Sequence, residues 1–311
     1  MNKSRPDIIV QKLREYTGHK GSLYAMALSD DEHHLFTAGD DGIVAQWDLH
    51  SDENHAKAIL QTDRGIYALA VLPQNRIAVG NSGGLIYIVD LKDQTVVKTL
   101  QQSESAIFGL EIIENHLWIL HGNGFLSVLR LSDFSQVFYR QMGHNHLRSI
   151  IYSPINKQVY IGSSDYHIYV INPQNFSIQS MWKAHENSVF SLAIHREGQY
   201  LLSGGRDAFL NIWDLKDNHQ SMQKIPAHNF TINDIALSPQ GNHFATAGRD
   251  KTIKIWDAYQ FNLLKVIDFA RNTAHTHSVN KIKWLKSDNS LISCSDDRRI
   301  IRWQIDIHSK R

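Results

Sequence analysis

Across residues 188–226 the hydrophobic positions alternate with polar ones in short bursts, and turn residues separate the bursts. "SVFSLAIH" (188–195) has period two, and "REGQ" follows it as a turn. "YLLSGG" (200–205) is a second short run, "RDA" turns the chain again, and "FLNIWDL" (209–215) is a third. "SMQKIP" (221–226) is a fourth. Runs of four to eight residues rich in β-branched and aromatic side chains, bounded by Gly, Asp, Asn or Pro, predict strands. No stretch shows the 3.6-residue period of an amphipathic helix.

The same pattern recurs along the chain. "GIVAQWDL" (42–49), "TIKIWDA" (252–258) and "RIIRWQI" (299–305) repeat the third run with its tryptophan. "GLIYIVDL" (84–91), "GFLSVLRL" (124–131) and "YHIYVIN" (166–172) keep the alternation without it. The aligned positions are Trp47, Val89, Leu129, Ile171, Trp213, Trp256 and Trp303, at steps of 42, 40, 42, 42, 43 and 47 residues. A four-strand unit of about 40–45 residues, with Gly-His or Ala-His near its start and Trp-Asp near its end, is a propeller blade signature. On these motifs the chain resembles the WD-repeat β-propeller family. The resemblance implies an all-β, seven-bladed propeller of four-stranded antiparallel blades, forming one domain over 1–311. The chain ends after the third strand of unit seven, while "IIVQKLREY" (8–16) is a spare strand before Gly18-His19. That strand is expected to complete the last blade and close the ring, which protects sheet edges.

In strong blades the family carries a buried group of His, Ser or Thr, Asp and Trp. Carried over, unit one supplies His19, Thr37, Asp41 and Trp47, and unit five His185, Ser203, Asp207 and Trp213. Unit six supplies His228, Thr246, Asp250 and Trp256, and unit seven His275, Ser293, Asp297 and Trp303. Indole only donates, carboxylate only accepts, and imidazole and hydroxyl do both, so the four satisfy one another. A Ser-His-Asp hydrolase triad uses three of these residue types. A set repeated once per unit and buried points to structure instead, since a nucleophile must meet substrate. The pattern breaks in three consecutive units, two to four. Unit two has Gly83 for the aspartate and no matching histidine. Unit three has Asn123 and no histidine. Unit four keeps Asp165 and offers His144, with Ile161 for the hydroxyl and Ile171 for tryptophan. Units two to four are therefore expected to open more readily.

The resemblance also implies a binding face at the loops between blades and the channel mouth, fed by two positions per blade. The first reads Tyr24, Tyr67, Phe108, Arg148, Phe190, Asn233 and Asn280. The second reads Asp40, Ser82, Gly122, Ser164, Arg206, Arg249 and Asp296. Aromatic residues and arginine are enriched in binding hot spots. A cationic arc on units four to six facing an anionic arc on units one and seven suits a peptide of mixed charge. Arginine there would grip a carboxylate or phosphate in bidentate fashion.

Composition changes this picture little. The chain has 311 residues, 42% hydrophobic and 20% charged, with a formal net charge of +1. The near-neutral balance gives no global field for nucleic acid and argues against it as a partner. Cys294 is the only cysteine, so no intrachain disulfide forms and a reducing compartment, the cytoplasm, is expected. No run approaches bilayer-spanning length, so no membrane role is expected. "GNSGG" (80–84) and "HGNG" (121–124) fall at turns and lack nucleotide-loop spacing. The adjacent His33 and His34 point to opposite faces of a strand, and His277 lacks co-ligands, so no metal and no cofactor are expected. "DDRR" (296–299) reads as a turn. The expected function is a non-catalytic platform, a monomeric propeller that binds a protein or peptide and joins a larger complex. Two alternatives are an enzyme with an anion site at the channel mouth and a subunit of a nucleic-acid-associated complex.

Overall fold

The protein was analysed as a computed structural model that describes residues 7–195 and 198–308. Arg196 and Glu197 of the "REGQ" turn, and the last three residues, lie outside the described residues. Seven four-stranded antiparallel sheets form a ring. The inner strands run Leu23–Leu28, Ile66–Leu72, Ile107–Ile113, Leu147–Ser153, Val189–His195, Ile232–Leu237 and Val279–Trp284, and they number blades one to seven. In six blades the strands follow in chain order from inside to outside. In the seventh the order from the outside is Asp7–Tyr16, Ile300–His308, Leu291–Ser295, Val279–Trp284. The first strand of the chain therefore completes the last blade. It pairs antiparallel with Ile300–His308, Val10 opposite Ile305 and Tyr16 opposite Ile300. Ile8 and Tyr16 from it are buried.

Burial follows position in the blade. Second strands such as Tyr200–Gly205 are buried at every residue, because neighbouring blades cover both faces. That explains why they read as continuous apolar runs and not as alternation. Outer strands such as Gln220–Pro226 are largely exposed and polar. The core is a belt of inter-blade clusters. One gathers Ile253, Ile255, Val279, Ile301 and Trp303 between blades six and seven. Another gathers Ile86, Ile88, Leu117 and Ile119 between blades two and three.

Each inner strand is irregular at the same place. Its register against the second strand shifts between its first and third residues, as between Val189 and Ser191. A β-bulge leaves one residue unpaired and re-aims its side chain. The skipped residues are Tyr24, Tyr67, Phe108, Arg148, Phe190, Asn233 and Asn280. Among the described residues one four-residue helix, Phe269–Asn272, interrupts the succession of strands between blades six and seven. The Asp268 carboxylate caps it by accepting from the Arg271 amide, and Thr273 ends it in the left-handed region at φ 50°. This insertion lengthens the last sequence step to 47 residues.

Candidate functional site

Four blades contain a one-way chain of hydrogen bonds. In blade six, Trp256 Nε1 donates to Thr246 Oγ1 at 2.9 Å, which contacts His228 Nε2 at 2.7 Å. His228 Nδ1 lies 2.9 Å from the Asp250 carboxylate. Blade five repeats this with Trp213, Ser203, His185 and Asp207 at 2.8, 2.8 and 3.0 Å. Blade seven does so with Trp303, Ser293, His275 and Asp297 at 2.9, 2.8 and 3.0 Å. Blade one uses Trp47, Thr37, His19 and Asp41 at 2.8, 2.9 and 2.8 Å. A neutral imidazole carrying its proton on Nδ1 satisfies every member. Burial holds His228 below its ordinary value, which favours that neutral form. Burial works against the charged Asp250. Hydrogen bonds from His228, the Asn229 amide and the Thr252 side chain outweigh it, so the carboxyl lies well below the usual range. The same aspartates accept the amide after the histidine, as Asp297 does from Thr276 at 2.9 Å, and so tie the inter-blade loop to the blade. All four hydroxyl residues are buried. Each hydroxyl is held between an indole and an imidazole, which ties the second and third strands of its blade to the loop before the inner strand.

Blades two to four solve the same problem differently. Blade three does contain a histidine, supplied by its second strand. His121 Nε2 lies 2.7 Å from Ser127 Oγ, and Nδ1 lies 3.0 Å from Ser103 Oγ. This corrects the expectation of no histidine there; the residue occupies a place that is glycine in blades one, five and six. In blade two, Asn81 takes that place, and its Oδ1 accepts from the Gly83 and Leu85 amides. In blade four, His144 is exposed and contacts Gln141, so it does not serve Asp165. Asp165 instead accepts from the Tyr169 hydroxyl at 2.5 Å.

Four of the bulged residues, Tyr67, Phe108, Arg148 and Phe190, line a central channel of about 600 Å³. Tyr24 and Tyr67 have ring centroids 5.0 Å apart, Tyr67 and Phe108 5.5 Å, and Phe108 and His146 5.4 Å. The Arg148 guanidinium carbon lies 4.3 Å from the Phe108 centroid and 5.0 Å from that of Phe190. Burial and the nearby charge of Arg206 push Arg148 down to about 10. On the other side of the ring, burial raises Tyr24, and the negative charges of Asp40 and Asp296 add to that rise. Asn233 and Asn280 are committed to the scaffold. Asn233 Nδ2 donates to Ser278 Oγ at 2.8 Å and to Val279 O at 2.9 Å. Asn280 Nδ2 donates to Leu23 O at 2.8 Å and to Asp296 at 2.7 Å. Asp40, Arg206 and Arg249 are exposed at the loops before the buried aspartates. Arg206 and Arg249 have no side-chain partner among the described residues.

Lower down the channel wall, burial pushes Glu111 up to about 7 against the opposing pull of Lys283. Sequence reasoning missed this residue, because nothing in an isolated strand marks a carboxyl as lining a channel. Cys294 is buried and its thiol is pushed up to about 12, so it is no thiolate nucleophile. Among the described residues, no group of three or more His, Cys, Asp and Glu side chains is placed to hold a metal. No helix among them is long and apolar enough to cross a membrane.

Comparison with known proteins bears on the same architecture. The family model "WD domain, G-beta repeat" matches residues 10–48, 176–214, 219–257 and 268–304. These segments hold the four tryptophan-bearing chains. Transducin-like enhancer protein 2 of Mus musculus is 26% identical over 60% of this chain and 24% of its own length. Denticleless protein homolog B of Xenopus laevis is 23% identical over 95% of this chain and 37% of its own. Transcription factor unc-37 of Caenorhabditis elegans is 25% identical over 60% of this chain and 30% of its own. The chain thus spans well under half the length of each. The crystal structure of the WD40 beta propeller domain of Doa1 superposes with a TM-score of 0.84. It covers 95% of this chain and 97% of that one at 17% identity, a likeness of fold.

Proposed function

Given that the chain belongs to the WD-repeat β-propeller family, we propose that it is a non-catalytic platform that binds a protein or peptide segment at the channel mouth. The observation that carries this reading is the continuous surface Tyr24–Tyr67–Phe108–Arg148–Phe190, built from bulged residues of five successive blades. Aromatic rings and arginines offer large contact area at low entropic cost, the composition of binding hot spots. Exposed Arg206 and Arg249 flank one side and Asp40 and Asp296 the other, so a bound segment is read by charge as well as by shape. The rigid braces hold these loops in place, which limits the ordering cost of binding.

The test is partner capture by wild type and by a variant carrying Tyr67→Ala, Phe108→Ala and Arg206→Ala. The variant is expected to lose the captured proteins while unfolding at an unchanged temperature. Undiminished capture by a folded variant would overturn the reading. The same proposal assigns the protein to the cytoplasm as part of a larger complex. Two relatives are named as a transcription factor and an enhancer protein. Accumulation of the tagged chain in the nucleus would therefore refute the cytoplasmic part alone.

A further inference from the structure

Arg148 is clamped and incompletely used. Its Nε donates to Ser164 Oγ at 3.0 Å, and its guanidinium lies between Phe108 and Phe190 of the flanking blades. These contacts fix the plane of the group. The two terminal nitrogens make no hydrogen bond or ion pair among the described residues, and the side chain lines the channel. The aspartates nearest in sequence to this mouth are occupied: Asp165 by Tyr169, Asp207 by His185. The charge beside Arg148 is Arg206, itself exposed and unpartnered among the described residues. The like charges of Arg148 and Arg206 repel, and an added anion would relieve the repulsion.

Building on the platform reading, we propose that the mouth at blades four and five is an oxyanion receptor. It takes a carboxylate or phosphate carried on the partner's peptide into the open fork of Arg148, with Arg206 as the second cation. A planar guanidinium with two parallel donors matches such a group in bidentate geometry. The aromatic surface runs on from this point toward Asp40 and Asp296, farther than a free small anion reaches. The occupant is therefore a chain with its anionic group at Arg148 and a basic residue toward blades one and seven.

The experiment measures binding of matched short peptides that share a basic flank and carry alanine, glutamate or phosphoserine at one position. The glutamate or phosphoserine peptides should bind better than the alanine ones. Arg148→Lys, which keeps the charge and loses the fork, should weaken that binding about tenfold or more. Arg206→Gln changes an exposed side chain, leaves the fold intact, and should weaken it and flatten its salt dependence. Binding confined to phosphoserine assigns a phosphate; binding shared by glutamate assigns a carboxylate. Equal binding of the alanine peptides overturns the proposal. So do affinities for folded Arg148→Lys and Arg206→Gln that both stay close to wild type. If the triple rim variant loses partner capture while Arg148→Lys keeps it, the receptor falls and the platform stands.

Discussion

The histidine that closes a blade's polar chain enters from one of two places. In blades five and six it comes from the loop before the inner strand, and the second strand ends in glycine. A Cβ on Gly205 would lie 2.4 Å from His185 Nδ1, and one on Gly248 2.3 Å from His228 Nδ1. In blade three the second strand carries His121 at the corresponding place, and no loop histidine competes. Gly205→Ala should therefore displace His185 and cost about 1–3 kcal/mol, as overpacking does; chemical denaturation measures it. His121 makes a second case. Burial alone presses it down to about 4, below the 6.5 of a free histidine. Above pH 6.5 it adds nothing to the pH dependence. As pH falls from 6.5 toward 4, the unfolded chain takes up a proton that the fold refuses, and stability drops. His121→Asn, which installs the residue blade two uses, should shrink the loss of stability between pH 7 and pH 5. An unchanged loss would show that His121 is not its source. The hydroxyl, aspartate and tryptophan of each strong blade were legible because they lie within one hairpin at fixed spacing. His121 was not, because its partner Ser103 comes from the preceding loop and its own position is glycine in blades one, five and six and serine in blade seven.

At the scale of the element, blades differ in how they are held. Blade two has Val79 and Val89 where strong blades have the hydroxyl and the indole, and both are fully buried among aliphatic neighbours. Asn81 braces its turn, yet its Nδ2 is buried without a partner. Such a group costs about 1–3 kcal/mol, and local opening that hydrates it relieves the cost. Blade two also lacks the indole–hydroxyl–imidazole–carboxylate chain that braces blade five, so amides of Arg76–Asn81 and Leu85–Asp90 should exchange faster than those of Tyr200–Gly205 and Phe209–Asp214. Hydrogen exchange by mass spectrometry compares them directly, and equal protection would count against the idea. Blade three, with its own histidine chain, should group with the protected blades. Strands and turns were readable from alternation and from Gly, Asp and Asn. The bulges were not, since Tyr, Phe, Arg and Asn all occupy the bulged place and no residue type demands one. The helix Phe269–Asn272 escaped because four residues are too few to show a 3.6-residue period.

For the whole molecule, the phase of the repeat mattered as much as its period. One spare strand at the start and one missing at the end led to a closed ring. The contacts at the mouth were beyond reach of that reading, because Tyr24, Tyr67 and Phe108 are about forty residues apart and touch only after the blades close. Closure rests on the pairing of Asp7–Tyr16 with Ile300–His308, on burial of Ile8 and Tyr16, and on the ion pair between Glu15 and Arg299 at 3.3 Å. Burying Ile8 contributes about 1.5–3 kcal/mol, and the Tyr16 ring adds to it against the cost of a hydroxyl buried without a partner. Without them Ile300–His308 becomes an open edge able to pair with another chain. Deleting residues through Tyr16 should therefore lower the melting temperature and drive the protein into aggregates, as light scattering would record. A synthetic peptide of residues 7–16, added in excess, should restore both the transition and the monomer, because a strand that binds only the folded ring stabilises it by mass action. If the truncated chain stays monomeric and melts as the full chain does, the ring is held by blade-to-blade packing alone and the first strand is dispensable.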